Sequence, residues 1–345
     1  MFNPYFPLVS MTPKGLHCKR GGFYIDPHRS VEVAVVTHAH SDHARRGSRE
    51  YICEESGADL LRVRLGKNIS IRTYKYGEIF YLNGVKVSLH SAGHILGSSQ
   101  VRMESEGEIW VASGDYKRDK DPSCEPFETV PCDVFITEAT FGTPKFVWQK
   151  NLNHGELIHR WWFENEKMGL NSILFGYSLG KAQRILAELF PFAHKPILIH
   201  SSIHELTECY REQNRNLAKT QVLMDKIKEL IFDQKLKGEL ILAPPSIMTE
   251  KWIHHLGNYQ TAFASGWMQG SGRRGYDKGF VMSDHADWND LIQTIKESRA
   301  KKVYVQHRDG VLVRHLKKEG LEAFPIEELF HDRFLPKSGE NLRLL

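Results

Sequence analysis

Residues 38–43 read His-Ala-His-Ser-Asp-His, and the apolar run 31–36 leads straight into them. No other feature constrains the fold as much. Three imidazoles and a carboxylate within six residues form a dense set of the nitrogen and oxygen donors that Zn²⁺ or Mn²⁺ takes. In an extended segment alternate residues point to one side. His38 and His40 can therefore grip one ion, while Asp42 and His43, past a bend, can face a second. A solvated His-rich loop has the same composition, so a ligand reading needs partners elsewhere in the chain.

Candidate partners recur where apolar runs end. The alternating Val85, Val87 and Leu89 lead to Ser-Ala-Gly-His at 91–94. The run 109–112 leads to Ser-Gly-Asp at 113–115, and the run 134–136 to Thr137 and Glu138. Apolar runs this short read as buried strands, which places functional groups at strand ends where loops expose them. Gly93 and Gly97 flank His94 and are expected to let the backbone approach an ion closely.

The middle of the chain changes character. Strands are expected at 173–177, 197–199, 240–243 and 261–264. A helix is expected after Ser178-Leu179-Gly180-Lys181, with Ile185, Leu186 and Leu189 on one face, and further helix from about 205 to 230. Such alternation predicts a parallel α/β unit. Beyond it, a strand at 280–282 runs into Ser283-Asp284-His285. Asp287 is the expected N-cap of a helix that buries Trp288, Leu291, Ile292 and Ile295. A strand at 303–305 then leads to His307. Strands ending in His thus occur on both sides of the middle segment. The simplest account is one metal-binding domain, 1–150 and 280–345, interrupted by an inserted α/β domain, 151–279.

Composition narrows the compartment and the partners. The chain has 345 residues, 18 of them His, and a formal net charge of +4, so overall charge announces no polyanion binder. Local clusters do: Arg45, Arg46 and Arg49; Lys117, Arg118 and Lys120; Arg273 and Arg274. Their places beside the motifs point to a polyanionic substrate. The five cysteines are scattered and show no CxxC, which argues against disulfides and a Cys-type zinc site. No signal-peptide pattern or bilayer-length apolar run is present, so a cytoplasmic protein without a membrane partner is expected.

Read together, His38, His40, Asp42, His43, His94 and Asp115 resemble the HxHxDH, then His, then Asp pattern of the metallo-β-lactamase αββα sandwich. Glu138, Ser-Leu-Gly-Lys-Ala-Gln at 178–183, Ser265-Gly266-Trp267, His285 and His307 resemble the β-CASP nucleases. These carry an inserted α/β domain and act on DNA or RNA. Size and phrasing are most similar to the bacterial DNA-ligase-associated, Artemis-like exonucleases. The resemblance covers essentially the whole chain and implies a metal-dependent DNA exonuclease of repair, associated with an ATP-dependent ligase and a helicase. Attack from a 5′ end follows from the Artemis-like likeness alone. An RNase J-like ribonuclease, a small-molecule hydrolase of the same fold and a non-catalytic nucleic-acid binder are the alternatives.

Phosphodiester hydrolysis fits this set. Two ions about 3.5–4 Å apart activate water and neutralise phosphoryl charge. The chain is expected to hold one or two Zn²⁺ or Mn²⁺ ions. His38, His40 and His94 are assigned to the first, Asp115 bridges, and Asp42 and His43 serve the second. His307 joins the second by resemblance, although Arg308 stands where relatives have Gly. The resemblance also makes His285 the general acid and Glu138 its carboxylate partner, a neighbour that raises a His pKa. Asp26 resembles the early Asp of the fold and is expected to orient a ligand His or its loop. Ser178 and Lys181, opening a helix after a strand, are expected to contact substrate phosphate, as is Ser265. Trp267 could stack a base but is expected in the interior.

Overall fold

Among the described residues short strands, several of them buried on both faces, form three sheets. The computed structural model describes residues 7–230, 234–247, 253, 256–270, 275–306 and 310–330. His307 and Arg308, Arg273 and Arg274, and the terminal segment 331–345 lie outside the described residues.

The first sheet takes six strands in chain order, from Ser10–Thr12 through Val33–Val35 and Glu50–Glu54 to Ile71–Tyr74. The second has seven. Its antiparallel half runs through Ile79–Leu82, Val85–Ser91, Ser99–Ser105 and Glu108–Ala112. Its parallel half adds Val134–Thr137, Lys302–Val305 and Glu322–Pro325. Val35 and Ile52 of the first sheet share a buried cluster with Val87, Val101, Trp110 and Ile136 of the second, so the two pack face to face. The helices Trp288–Ser298 and Val311–Lys318 cover the outer face of the second sheet through Leu291, Ile295, Leu312 and Leu316. The helix Ala58–Leu65 packs with Ala34 and Tyr51 on the outer side of the first. The architecture is an αββα sandwich.

The third sheet draws every strand from between Asn171 and Phe280 and is wholly parallel. Alternation sorts its residues: Leu174, Leu240 and Leu242 face one cluster, while Ile173, Phe175 and Ile241 face another. The helices His154–Lys167, Lys181–Leu189 and Ser201–Glu212 cover the first face, and Leu223–Lys228 the second.

Some expectations are corrected here. The segment read as helix from 205 to 230 contains a strand, Thr220–Val222, because three short residues between two helices leave no periodic signature. The helix Lys181–Leu189 is buried almost all round rather than on one face, since it is wedged between the third sheet and the sandwich. Asp287 does cap its helix, its carboxylate accepting the Asp290 N–H at 2.8 Å. All five cysteines are free and buried. Among the described residues no helix is long and apolar enough to cross a membrane.

Candidate metal centre

The strand Val33–Val35 ends at a turn that carries His38, His40 and His43 toward two loops of the second sheet. His38 Nε2 and His94 Nε2 each lie 3.1 Å from His40 Nδ1. Asp115 Oδ2 lies 3.6 Å from His38 Nε2 and 3.8 Å from His94 Nε2. One ligand atom from each of these four residues falls within 4.8 Å of the others. A tetrahedral ion bound at about 2.0–2.1 Å sets its ligand nitrogens roughly 3.3 Å apart, close to this spacing.

Hydrogen bonds to the outer ring nitrogens fix which way each imidazole presents its lone pair. His40 Nε2–H donates to the Leu179 carbonyl at 3.1 Å, and His94 Nδ1–H to the Asp284 carbonyl at 2.7 Å. Thr37 completes a relay. Its hydroxyl donates to Asp26 Oδ2 at 2.6 Å and accepts from His38 Nδ1 at 3.0 Å. Three lone pairs therefore converge on one point beside a carboxylate. Burial lowers the pKa of His38, His94 and His40, which keeps them neutral. Converging neutral imidazoles with no proton to share are a cation's donor set, so the residues fit a divalent ion.

His43 approaches from the other side. Its Nδ1–H donates to Asp26 Oδ2 at 2.7 Å, and its Nε2 lies 3.5 Å from Asp115 Oδ2 and 3.7 Å from Asp42 Oδ2. Burial pulls its pKa down, but Asp115 and Asp26 raise it well above the usual value. Asp115 Oδ2 thus lies between the two groups. Asp42 is solvent-exposed and lies 3.7 Å from His43 Nε2. Asp26, at φ +45°, holds both Thr37 and His43. The expected ligand His307 lies outside the described residues.

Asp115 also forms a second group with Glu138 and His285. His285 Nδ1–H points at Glu138, 3.0 Å from Oε2. Glu138 is completely buried and also accepts the Tyr116 N–H at 2.7 Å and the Thr140 hydroxyl at 2.6 Å. Burial opposes protonation of His285, yet Glu138 and Asp115 outweigh it and raise its pKa to about 9.

Several expected contacts are placed differently. Lys181 is buried, and its ammonium is bound to Asp284 Oδ1 at 2.7 Å and to the Met282 carbonyl, so it is not presented to a phosphate. Arg184 joins the same carboxylate at 3.3 Å. Gly180, not Ser178, is the N-cap of that helix; the Ser178 hydroxyl pairs with Ser202 at 3.0 Å. Ser265 is buried and caps the turn Gly266–Met268 through the Trp267 N–H. Lys117 is buried against Asp121. Gly93 and Gly97 make room for other loops rather than for an ion: a Cβ would fall 2.3 Å from the Lys117 carbonyl oxygen or the Gly57 backbone. Trp267, expected inside, is 48% exposed. Ser178, Lys181, Ser265 and Trp267 all border a cleft of about 1080 Å³ that His40, Asp115, His285, Arg45 and Arg64 also line.

Sequence reasoning missed Thr37, Asp284 and Arg64. Thr37 and Asp284 stand directly before His38 and His285, and a hydroxyl or carboxylate adjoining a candidate His was the available signal. The Leu179 carbonyl had none, because any residue type supplies one.

No protein-family profile matches the chain. A protein of Opitutus terrae named "Probable DNA ligase" is 30% identical over 91% of this chain and 30% of its own length. "Endoribonuclease YSH1" of Saccharomyces cerevisiae is 32% identical over 34% of this chain and 15% of its own length. "Ribonuclease TTHA0252" of Thermus thermophilus is 25% identical over 50% of this chain and 46% of its own. The chain therefore spans less than half the length of each of these relatives. A crystal structure from Enterococcus faecalis V583, of a protein of unknown function, superposes with TM-score 0.53 at 13% identity, covering 89% of this chain and 80% of that one; it shares the fold.

Proposed function

The chain belongs to the metallo-β-lactamase/β-CASP nuclease family, and from that premise we propose that it is a metal-dependent DNA exonuclease of repair. The observation that carries the reading is the pair of half-buried His285 and buried Glu138, with His285 Nδ1 3.9 Å from the Asp115 carboxylate that the four-residue cluster shares. A phosphodiesterase needs a proton donor beside its ligand cluster, and this is where the pair stands. The segment 151–279, whose sheet and helices border the cleft, is the inserted substrate-gripping domain in this reading.

His38, His40, His94 and Asp115 would hold the first ion, and Asp42 and His43 a second. Bound there, Zn²⁺ or Mn²⁺ supplies an acidified water and positive charge for the phosphoryl oxygens. The chain's own residues do the rest. Asp26 and Thr37 keep His38 and His43 in the tautomers that face inward. His285, protonated beside Glu138, carries the proton that the leaving oxygen needs. A cleft of about 1080 Å³, lined in part by Arg45 and Arg64, suits a strand better than a small molecule.

DNA rather than RNA is favoured because the relative named as a DNA ligase matches 91% of this chain, against 34–50% for the ribonucleases above. That likeness also motivates a functional association with a ligase; a helicase partner rests on the family resemblance of the sequence motifs alone. The test is digestion of DNA and RNA of one sequence, labelled at the 5′ or the 3′ end, with Mn²⁺ or Zn²⁺. Progressive shortening of DNA from one end is expected. Preferential RNA degradation would establish the ribonuclease alternative instead, and internal first cuts would exclude an exonuclease.

A further inference from the structure

Trp267 presents half its surface to solvent at the mouth of the cleft that holds the ligand cluster. It is held there, not left loose. The Phe141 ring packs against it at 4.8 Å between centroids, and Phe146 meets it edge-on at 5.4 Å. The Ser265 hydroxyl accepts its backbone N–H, and two residues further on the Gln269 side-chain amide donates to the Lys145 carbonyl at 3.0 Å. Gly266 is required for this packing, since a Cβ would come within 2.7 Å of Phe141. An indole fixed on two sides and open on the third has lost its freedom without being buried. Such a side chain is prepared for a flat apolar partner.

The place identifies that partner. Phe141 also contacts the His285 ring, 6.0 Å between centroids, so Trp267 stands two ring contacts from the proton donor. Tyr177, 52% exposed, borders the same cleft. We infer that Trp267, backed by Phe141 and Phe146, is a stacking platform for an unpaired nucleobase next to the phosphate under attack. This rests on the reading of the substrate as a nucleic-acid strand and adds a preference: single-stranded or frayed ends over paired ones. A base inside a duplex has both faces covered by neighbours, whereas an unpaired base offers a free face. Stacking is blind to base identity, which suits an enzyme that must pass any sequence.

The test is binding without cleavage. The full chain and its Trp267→Ala and Trp267→Phe variants are titrated, under chelator, against a fluorescein-labelled single-stranded DNA. A second strand carries abasic residues at its terminal positions. The wild type should bind the intact strand more tightly than the abasic one. Trp267→Ala should weaken intact-strand binding about tenfold, the worth of one base–aromatic stack, and leave abasic-strand binding unchanged. Trp267→Phe should retain most of the affinity. Equal losses on both strands, or no loss on the intact one, would overturn the platform. A wild type that discriminates between the strands yet cuts neither DNA nor RNA would overturn the nuclease reading and leave the platform standing.

Discussion

The Thr37 hydroxyl joins two halves of the site, because it donates to Asp26 and accepts from His38. Thr37→Val keeps the shape and removes both bonds. Metal affinity should fall about 10- to 100-fold, read by competition with a chromogenic chelator, and Thr37→Ser should restore it. An unchanged affinity would show that the relay does not orient His38. Asp42 makes the opposite prediction: it is exposed, so Asp42→Ala should abolish cleavage with little change in thermal midpoint. Full activity in that variant would remove Asp42 from the ligand set. His285 predicts a pH dependence in the chelated protein. Its pKa, raised to about 9 in the fold, exceeds the ordinary His value near 6.5. The protonated ring therefore adds stability that is complete below about pH 6.5 and is lost as pH rises through about 9, at most about 3 kcal/mol. His285→Asn should flatten that part of the stability profile, measured by urea unfolding across the range. A profile as steep as wild type would mean that another group titrates there.

The helix Lys181–Leu189 joins the third sheet to the site, since Lys181 and Arg184 both bind the Asp284 carboxylate while the Asp284 carbonyl holds His94. Lys181→Met leaves a buried carboxylate short of one partner and should cost about 3 kcal/mol or more. Adding Asp284→Asn should recover part of that loss, the non-additivity that marks a coupled pair. Unchanged stability with an impaired KM for DNA would instead return Lys181 to phosphate binding. This helix also shows what the sequence makes legible. The strand runs at 109–112 and 134–136 could be read because burial on both faces demands an unbroken apolar string, and their ends led to Asp115 and Glu138. The strands Ser10–Thr12 and Thr220–Val222 could not, because three residues without a fully buried run carry no period. Ligand side chains were legible because their chemistry is in the residue type. The fates of Lys181 and Lys117 were not, because a lysine that grips phosphate and one that neutralises a buried aspartate look alike until the partner is placed.

At the scale of the whole molecule, a small net charge of +4 hides a local bias. Lys117, Lys181 and Arg184 are spent on buried carboxylates, so they add nothing to the field a strand meets. Arg45 and Arg64 line the cleft together with Asp42 and His43, and in the proposed reading they would meet an approaching phosphate. A cation that contacts phosphate releases a condensed counterion, and single-stranded binding then weakens with salt by a log–log slope of about 0.7 per contact. Arg45→Ala should therefore weaken binding of every single-stranded sequence by a similar factor and reduce the salt slope by about one contact. It should leave thermal stability within about 0.5 kcal/mol of wild type, as a surface change does. Titration of one labelled strand at several ionic strengths reads both quantities. Loss of affinity with an unchanged slope would place Arg45 on a base or a protein group instead of a phosphate. The cleft edge would then contribute shape to recognition, and the electrostatic grip would have to come from elsewhere in the molecule.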